Sequence, residues 1–140
     1  MDKNFLNFKA TRSLFFWGFL LLIPMLGFSQ GTRIAQEAFH QANDNEAIVL
    51  DVREKWEIKN TGIAMGARWI PISAIRFKKR EWMVFLKTFD KKKVVYVYSR
   101  SGGRAAQVVR RLRKRGFKAK NIGGLRDWKK AGLPIKRISH

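Results

Sequence analysis

Cysteine is absent from this chain of 140 residues. Its absence excludes disulfides, thiolate metal sites and thiol nucleophiles together. Histidine is almost as scarce, since the chain has only His40 and His140. The sequence therefore offers no thiol chemistry, and a hydroxyl nucleophile would have only these two imidazoles as candidate bases.

Acidic residues are also few. The chain has 10 Asp and Glu against 30 Lys and Arg, which gives a formal net charge of +20. Many of the cations lie in three runs, at residues 76–80, 91–93 and 110–120. Such a field attracts polyanions whatever the fold beneath it. The alternative interpretation is a strongly solvated surface that has no single partner.

The N-terminal segment has a pattern of its own. Three basic residues, the last of them Arg12, precede an uncharged run at 13–28, and small and polar residues follow. This order is typical of a secretory signal peptide. The run is shorter than the roughly 20 residues of a membrane-spanning helix, and Pro24 interrupts it. We therefore predict cleavage after Ser29, with an uncleaved membrane anchor as the alternative.

This prediction divides the chain into a signal peptide at 1–29 and a mature domain at 30–140. The predicted location is periplasmic or secreted; with an uncleaved anchor, the domain would still lie outside the cytoplasm. The mature domain keeps 27 Lys and Arg against 9 Asp and Glu, a formal charge of +18. An exported protein meets anionic lipids, envelope glycans and acidic proteins more often than nucleic acid, so nucleic acid is the less favoured partner.

Apolar patterning in the mature chain alternates between strands and helices. Short β-branched runs predict strands at 47–52, 66–72, 94–98 and 117–122. Helical spacing predicts helices at 32–42, 53–60, 80–89, 104–115 and 125–134. We expect Thr32 to cap the first helix and Trp56 to face the core. The predicted fold is α/β, an open parallel sheet of about five strands with helices on both faces.

The segment VVYVYSRSGGRAAQVVRRL, at 94–112, reads as a buried strand, a tight loop and a helix whose N-terminus points back at the loop. Successive backbone N–H groups and the positive end of the helix stabilise an anion in such a loop. The predicted anion-binding loop consists of Ser99, Arg100, Ser101, Gly102, Gly103 and Arg104.

Four segments, in order and spacing, resemble those of single-domain rhodanese-homology proteins. They are LDVRE at 50–54, GIAMGARWIP at 62–71, YSRSGGRA at 98–105 and GGLRDWKKAGLP at 123–134. The resemblance covers about residues 32–135. It implies the rhodanese-like fold, with the functional site at the loop that begins with Ser99.

In that family the loop after the fourth strand begins with the catalytic cysteine, so the resemblance implies that Ser99 occupies its position. The loop has the six-residue length of the sulfur-handling branch, whereas related phosphatases have one residue more. Ile63 and Met65 stand where the family has a histidine and a proline. No catalytic residue, cofactor or metal is therefore expected.

Two further residues match the family pattern, Asp51 and Arg53. The resemblance suggests that Arg53 packs or pairs near the loop, and that Asp51 orders the backbone at the carboxyl edge of the sheet. A purely structural role for both residues remains equally open.

These observations predict a non-catalytic binding module. Its expected ligand is a small oxyanion such as sulfate, thiosulfate or phosphate, and an acidic protein or an anionic membrane surface is the expected larger partner. Two alternatives stay open. One is an enzyme of the sulfurtransferase family with altered or partner-supplied chemistry, and the other is a basic polyanion-binding protein for which the fold is only a scaffold.

Overall fold

A computed structural model describes Gly27 and residues 29–138. The predicted signal peptide therefore lies almost entirely outside the described residues. The helices are α1 (Gln30–Asn43), α2 (Lys55–Thr61), α3 (Ile72–Arg76), α4 (Arg80–Thr88), α5 (Gly103–Arg113) and α6 (Leu125–Lys130). The strands are β1 (Ala47–Asp51), β2 (Ile63–Ala64), β3 (Arg68–Trp69), β4 (Val94–Ser99), β5 (Lys118–Gly124) and β6 (Ile135–Lys136).

The main sheet is parallel and has four strands in the order β3-β1-β4-β5. It confirms the predicted fold class, with four strands where the sequence indicated about five. Ile63 and Ala64 form a separate antiparallel pair with β6. The central position of β4 places the end of this strand, and the loop after it, at the middle of the carboxyl edge of the sheet.

The two faces of the sheet carry separate apolar layers, because successive strand residues point to opposite sides. On one face, Val95 and Val97 of β4 pack in a cluster with Trp82 and Phe85 of α4. On the other face, the layer is formed by α1, α6 and the remaining strand residues. Its fully buried members include Ala35, Ala38, Tyr96, Tyr98 and Trp128. The β4 run is therefore buried from both sides, as its continuous apolar sequence predicts.

The first helix begins earlier than predicted. Its N-cap is Ser29, whose Oγ accepts a hydrogen bond from the Thr32 backbone N–H at 3.3 Å. Thr32, the predicted cap, is buried within the first turn. The prediction was wrong because serine and threonine are both good caps, and contacts elsewhere in the fold decide between them. Ser29 also donates to Asp127 of α6 at 3.4 Å.

The second helix is turned relative to the prediction. Trp56 is 61% exposed, whereas Glu57 and Ile58 are buried. The expectation of an inward tryptophan was therefore wrong, and a carboxylate occupies the inner face instead. Among the residues described, no helix combines the length and the apolar character that a membrane crossing requires.

Candidate functional site

The candidate loop connects the end of β4 to the start of α5, at the carboxyl edge of the parallel sheet. Open α/β sheets bind ligands at this edge. Ser99 is the last residue of β4, and the helix begins at Gly103. The predicted strand, loop and helix therefore lie at the edge of the sheet where proteins of this fold class bind ligands.

Ser99 lies inside the loop. The serine is 1% exposed. Its Oγ accepts hydrogen bonds from the backbone N–H groups of Gly102, at 3.0 Å, and Ala105, at 3.3 Å. The hydroxyl oxygen therefore takes two donors that would otherwise point at a group held within the loop. His40 is exposed and lies in α1, so no imidazole is among the hydrogen-bond partners of Ser99 in the described part of the chain.

Glycine is required where the loop passes over the end of β5. Gly102 has a φ of +99°, and a Cβ at this position would lie 3.1 Å from the Gly123 Cα. A Cβ on Gly124 would meet the carbonyl oxygen of Arg100 at 2.3 Å. Asn121 fixes the same turn, since its Nδ2 donates to the Gly102 carbonyl at 3.1 Å. The backbone of the loop is therefore held tightly against its neighbour strand.

The start of α5 keeps free donors. The backbone N–H groups of Gly103 and Arg104 make no hydrogen bond within the described part of the chain, whereas that of Ala106 closes the first helical bond to Gly102. A Cβ on Gly103 would meet nothing within 4 Å. Two unpaired donors thus lie at the positive end of an eleven-residue helix.

The side chain of Arg104 departs from its predicted role in the anion cradle. Its Nη1 and Nη2 each donate to one oxygen of Glu57, both at 2.6 Å. Hydrogen bonding from Arg104 holds the pKa of Glu57 below its usual range, and the same contact raises the pKa of Arg104. The buried carboxylate of α2 therefore holds the guanidinium that a bound anion would otherwise use.

Asp51 and Arg53 form a buried pair below the loop. Arg53 Nη2 lies 2.7 Å from Asp51 Oδ2, and both side chains are almost fully buried. Arg53 also donates to Thr61 Oγ1 and to the Gly62 carbonyl, each at 2.7 Å. The Tyr98 hydroxyl donates to Asp51 at 2.5 Å. The pair thus ties β1 to β4 and to the end of α2.

A cleft of about 410 Å³ opens beside the loop. Its lining contains five cationic side chains and no carboxylate, and Leu125 contributes an apolar wall. The lining residues are Arg53, Thr61, Arg100, Leu125, Arg126, Lys129 and Lys130. Since Arg53 is paired with Asp51, four cations remain for a ligand: Arg100, Arg126, Lys129 and Lys130. We refer to this feature as the basic cleft.

Sequence reasoning missed the three cations that α6 brings to the site and the carboxylate of Glu57. Arg126, Lys129 and Lys130 follow β5, which pairs with β4, so strand order alone places their helix next to the loop. For Glu57 the sequence does hold a signal, because two glutamates three residues apart can form a capping box at the start of a helix. In the structure Glu57 accepts a hydrogen bond from the Glu54 backbone N–H at 2.8 Å.

Across residues 29–138, no group of three His, Asp or Glu side chains lies close enough together to hold a metal ion. The loop and its surroundings offer backbone donors, the buried hydroxyl of Ser99 and the cations of the basic cleft.

Comparison with protein families identifies the fold independently. The family model of the rhodanese-like domain matches residues 35–131. The chain belongs to the rhodanese-like family. The matched region of this rhodanese-like domain includes the loop at 99–104, Asp51 and Arg53, and every residue that lines the basic cleft.

Solved structures of rhodanese-like proteins share this fold. A rhodanese-related protein from Thermoplasma volcanium is 28% identical, with a TM-score of 0.58 over 73% of this chain and 93% of that chain. A rhodanese-like domain protein from Staphylococcus aureus is 29% identical, with a TM-score of 0.55 over 73% and 94%. A protein from Staphylococcus saprophyticus is 31% identical, with a TM-score of 0.54 over 71% and 94%. No curated protein matches the chain.

Proposed function

We propose that this rhodanese-like domain is an exported, non-catalytic module that binds an oxyanion or an acidic group of a partner in the basic cleft. The observation that carries the proposal is the combination of a hydroxyl buried in the loop with four cations beside it. Ser99 Oγ is already hydrogen-bonded by the loop, while Arg100, Arg126, Lys129 and Lys130 face the cleft without a carboxylate among its lining residues.

The chemistry of Ser99 argues against sulfur transfer. A cysteine thiol has a pKa of about 8.5 and is readily depressed beside a helix N-terminus, whereas a serine hydroxyl needs a base to ionise. Ser99 has backbone donors as neighbours in place of a base. A hydroxyl also cannot form the sulfur–sulfur bond of a persulfide, and the chain has no thiol that could hold the transferred atom in its place.

The chemistry of the cleft favours binding of a negative group. Guanidinium and ammonium groups form strong charge-assisted hydrogen bonds with sulfate, phosphate and carboxylate. The free N–H groups of Gly103 and Arg104 lie at the positive end of α5, outside the residues that line the cleft. Arg104 itself contributes only its backbone, since its side chain is held by Glu57.

Calorimetry tests this proposal with the full chain at low ionic strength. Thiosulfate, sulfate and phosphate probe a free oxyanion, and a short polyglutamate peptide probes an acidic partner. Replacing both Arg126→Ala and Lys129→Ala removes two charged contacts, and we expect a loss of affinity of about tenfold or more.

The matched control replaces two exposed lysines at the amino-terminal edge of the sheet, Lys92→Ala and Lys118→Ala. It lowers the net charge by the same amount, so it should change the affinity much less. Equal losses of affinity in the two double variants would show that net charge alone causes the loss, and would contradict a specific site. The absence of binding to every probe would also overturn the proposal.

A polyanion-binding surface on α5 is the second candidate. A depression of about 320 Å³ is lined by Gln107, Arg110, Arg111 and Lys114, again without a carboxylate. Arg113 is excluded from this set because its Nε donates to the Ala119 carbonyl at 2.9 Å. If this surface is the functional one, affinity for a soluble polyanion should fall steeply with salt. Replacement of Arg110, Arg111 and Lys114 should then abolish binding, and variants of the basic cleft should have no effect.

A further inference from the structure

The α3–α4 corner combines an exposed aromatic side chain with a dense group of cations. Phe77, which follows α3, is 77% exposed and is the most exposed large hydrophobic residue that the structure describes. It lies within the run RFKKR at 76–80, so three cations follow it directly and one precedes it. The following residue, Lys78, has a positive φ of 49°, which marks a sharp change of chain direction at the tip.

The outer face of α4 continues this surface. Met83 and Val84 are 48% and 43% exposed, while Trp82 and Phe85 of the same helix are buried in the core. The helix is therefore apolar on two sides, and only one of them is covered within the described part of the chain. Exposed cations lie at the two ends of this outer face, Arg80 and Lys87. We call the corner and this face together the α3–α4 surface.

The charges of the α3–α4 surface are nearly all of one sign. Five cations lie between residues 76 and 87, and Glu81 is the single acidic residue there. None of the five makes a salt bridge with another described residue. Arg76 reaches Gln107 of α5 at 3.5 Å, so the surface is continuous with the cationic depression at Arg110 and Arg111.

The combination of exposed apolar side chains and unpaired cations indicates which kind of partner this surface fits. A soluble polyanion would bind the cations but would leave Phe77, Met83 and Val84 in water. An acidic peptide would need a groove, and the two clefts described above are lined by other residues. A bilayer surface satisfies both sets of groups, because the apolar side chains enter the interface while lysine and arginine reach the phosphates.

We propose that the α3–α4 surface docks on an anionic lipid bilayer, with Phe77 inserted at the level of the head groups. This contact lies on the face of the sheet opposite to α6, so it leaves the basic cleft accessible and does not depend on anion binding there. It also does not depend on the fate of the predicted signal peptide, since every group of this surface lies between residues 76 and 87.

The absence of native cysteine makes a site-specific test direct. Three single-cysteine variants of the full chain each carry one nitroxide label. Two of them, Phe77→Cys and Met83→Cys, place the label on the α3–α4 surface, and Met83→Cys keeps Phe77. The third, Asp44→Cys, is the matched control. Asp44 is exposed in the turn after α1, at the opposite edge of the sheet. Collision of the label with an aqueous nickel complex is then measured with and without vesicles of phosphatidylcholine and phosphatidylglycerol.

We expect the vesicles to lower the nickel collision rate severalfold at positions 77 and 83 and to leave position 44 unchanged. Phosphatidylcholine vesicles alone should protect neither site. With the label at position 83, Phe77→Ser should weaken partitioning into the anionic vesicles by about tenfold. This is the effect of removing one aromatic ring that the bilayer would bury. Charge reversal at Lys78→Glu and Lys79→Glu should abolish the protection.

Three results would overturn the proposal. The labels at 77 and 83 could stay accessible to nickel while the protein is bound to anionic vesicles. All three labels could be protected equally, which would indicate general adsorption or attachment by another segment. Heparin or polyglutamate could protect the labels as well as the vesicles do, which would assign the surface to a soluble polyanion or an acidic protein.

Discussion

Arg104 and Glu57 face each other in a two-pronged ion pair, with each guanidinium nitrogen 2.6 Å from one carboxylate oxygen. The pair joins the first turn of α5 to the buried side of α2, 47 residues earlier in the chain. It fixes the start of the helix, where the backbone N–H groups of Gly103 and Arg104 are free. It also neutralises the arginine that the sequence pattern assigned to the anion cradle, so the net charge available to a ligand comes from the other cations.

The first prediction concerns the stability contributed by this pair. Glu57→Gln should lower the free energy of unfolding at pH 7 by about 1–3 kcal/mol, since a hydrogen-bonded charge pair with one largely buried partner is broken. Urea denaturation measures the change. Glu81→Gln, in an exposed position without a salt bridge, is the matched control and should have little effect.

The pH dependence of stability follows from the same pair. Arg104 holds the pKa of Glu57 below its unfolded value, so the stabilisation is fully present above the unfolded pKa of about 4.3. It is lost as the pH falls through the lower folded pKa. The Glu57→Gln variant should therefore lose less stability than the wild type below about pH 4.3. Parallel curves for the two proteins would contradict this assignment.

The second prediction compares the two tyrosines of the chain. Burial, together with the adjacent charge of Asp51, raises the pKa of Tyr98, so its hydroxyl remains a donor to Asp51 and an acceptor from the Ala64 N–H. Tyr98→Phe should cost about 1–3 kcal/mol because it leaves buried polar groups unpaired. Tyr96→Phe is the control, and it should cost less because the hydroxyl of Tyr96 bonds Glu37 and Gln41 near the surface. A reversed order in thermal or urea unfolding would contradict the structural role of Asp51.

The third prediction concerns the loop glycines. Gly102→Ala should destabilise the protein by about 1–2 kcal/mol, because its φ of +99° is unfavourable for any residue with a Cβ. Gly103→Ala is a matched control one residue along, where an added Cβ meets nothing within 4 Å. Its effect on the free energy of unfolding should be close to zero. Equal effects would show that the loop is not held against β5 as described.

The fourth prediction is export with removal of residues 1–29. The intact mass of the protein recovered from the cell envelope or the medium should correspond to residues 30–140, and the full-length mass would contradict cleavage. Cleavage after Ser29 would also remove the N-cap of α1. The mature protein should then be less stable than the full chain by about 1 kcal/mol, the usual contribution of a serine cap.

Sequence periodicity was sufficient to predict the parallel sheet, the helices that cover its two faces and the position of the loop. Buried strands such as β4 have a strong local signature, and parallel strands necessarily end at a common edge. Periodicity failed at α2, because an inward Glu57 is favourable only when Arg104 is brought to it from a distant segment. The cations of α6 were missed for a similar reason, since their approach to Arg100 depends on β5 lying next to β4.

The most direct test of the central claim is thiocyanate formation from thiosulfate and cyanide by the purified full chain, measured for the wild type beside Ser99→Cys. We expect no turnover by the wild type. For Ser99→Cys we expect measurable turnover, or at least a persulfide seen as an added sulfur mass, because the N–H groups of Gly102 and Ala105 would then face a sulfur in place of the hydroxyl. Turnover by the wild-type protein would contradict the claim that this domain binds without transferring sulfur.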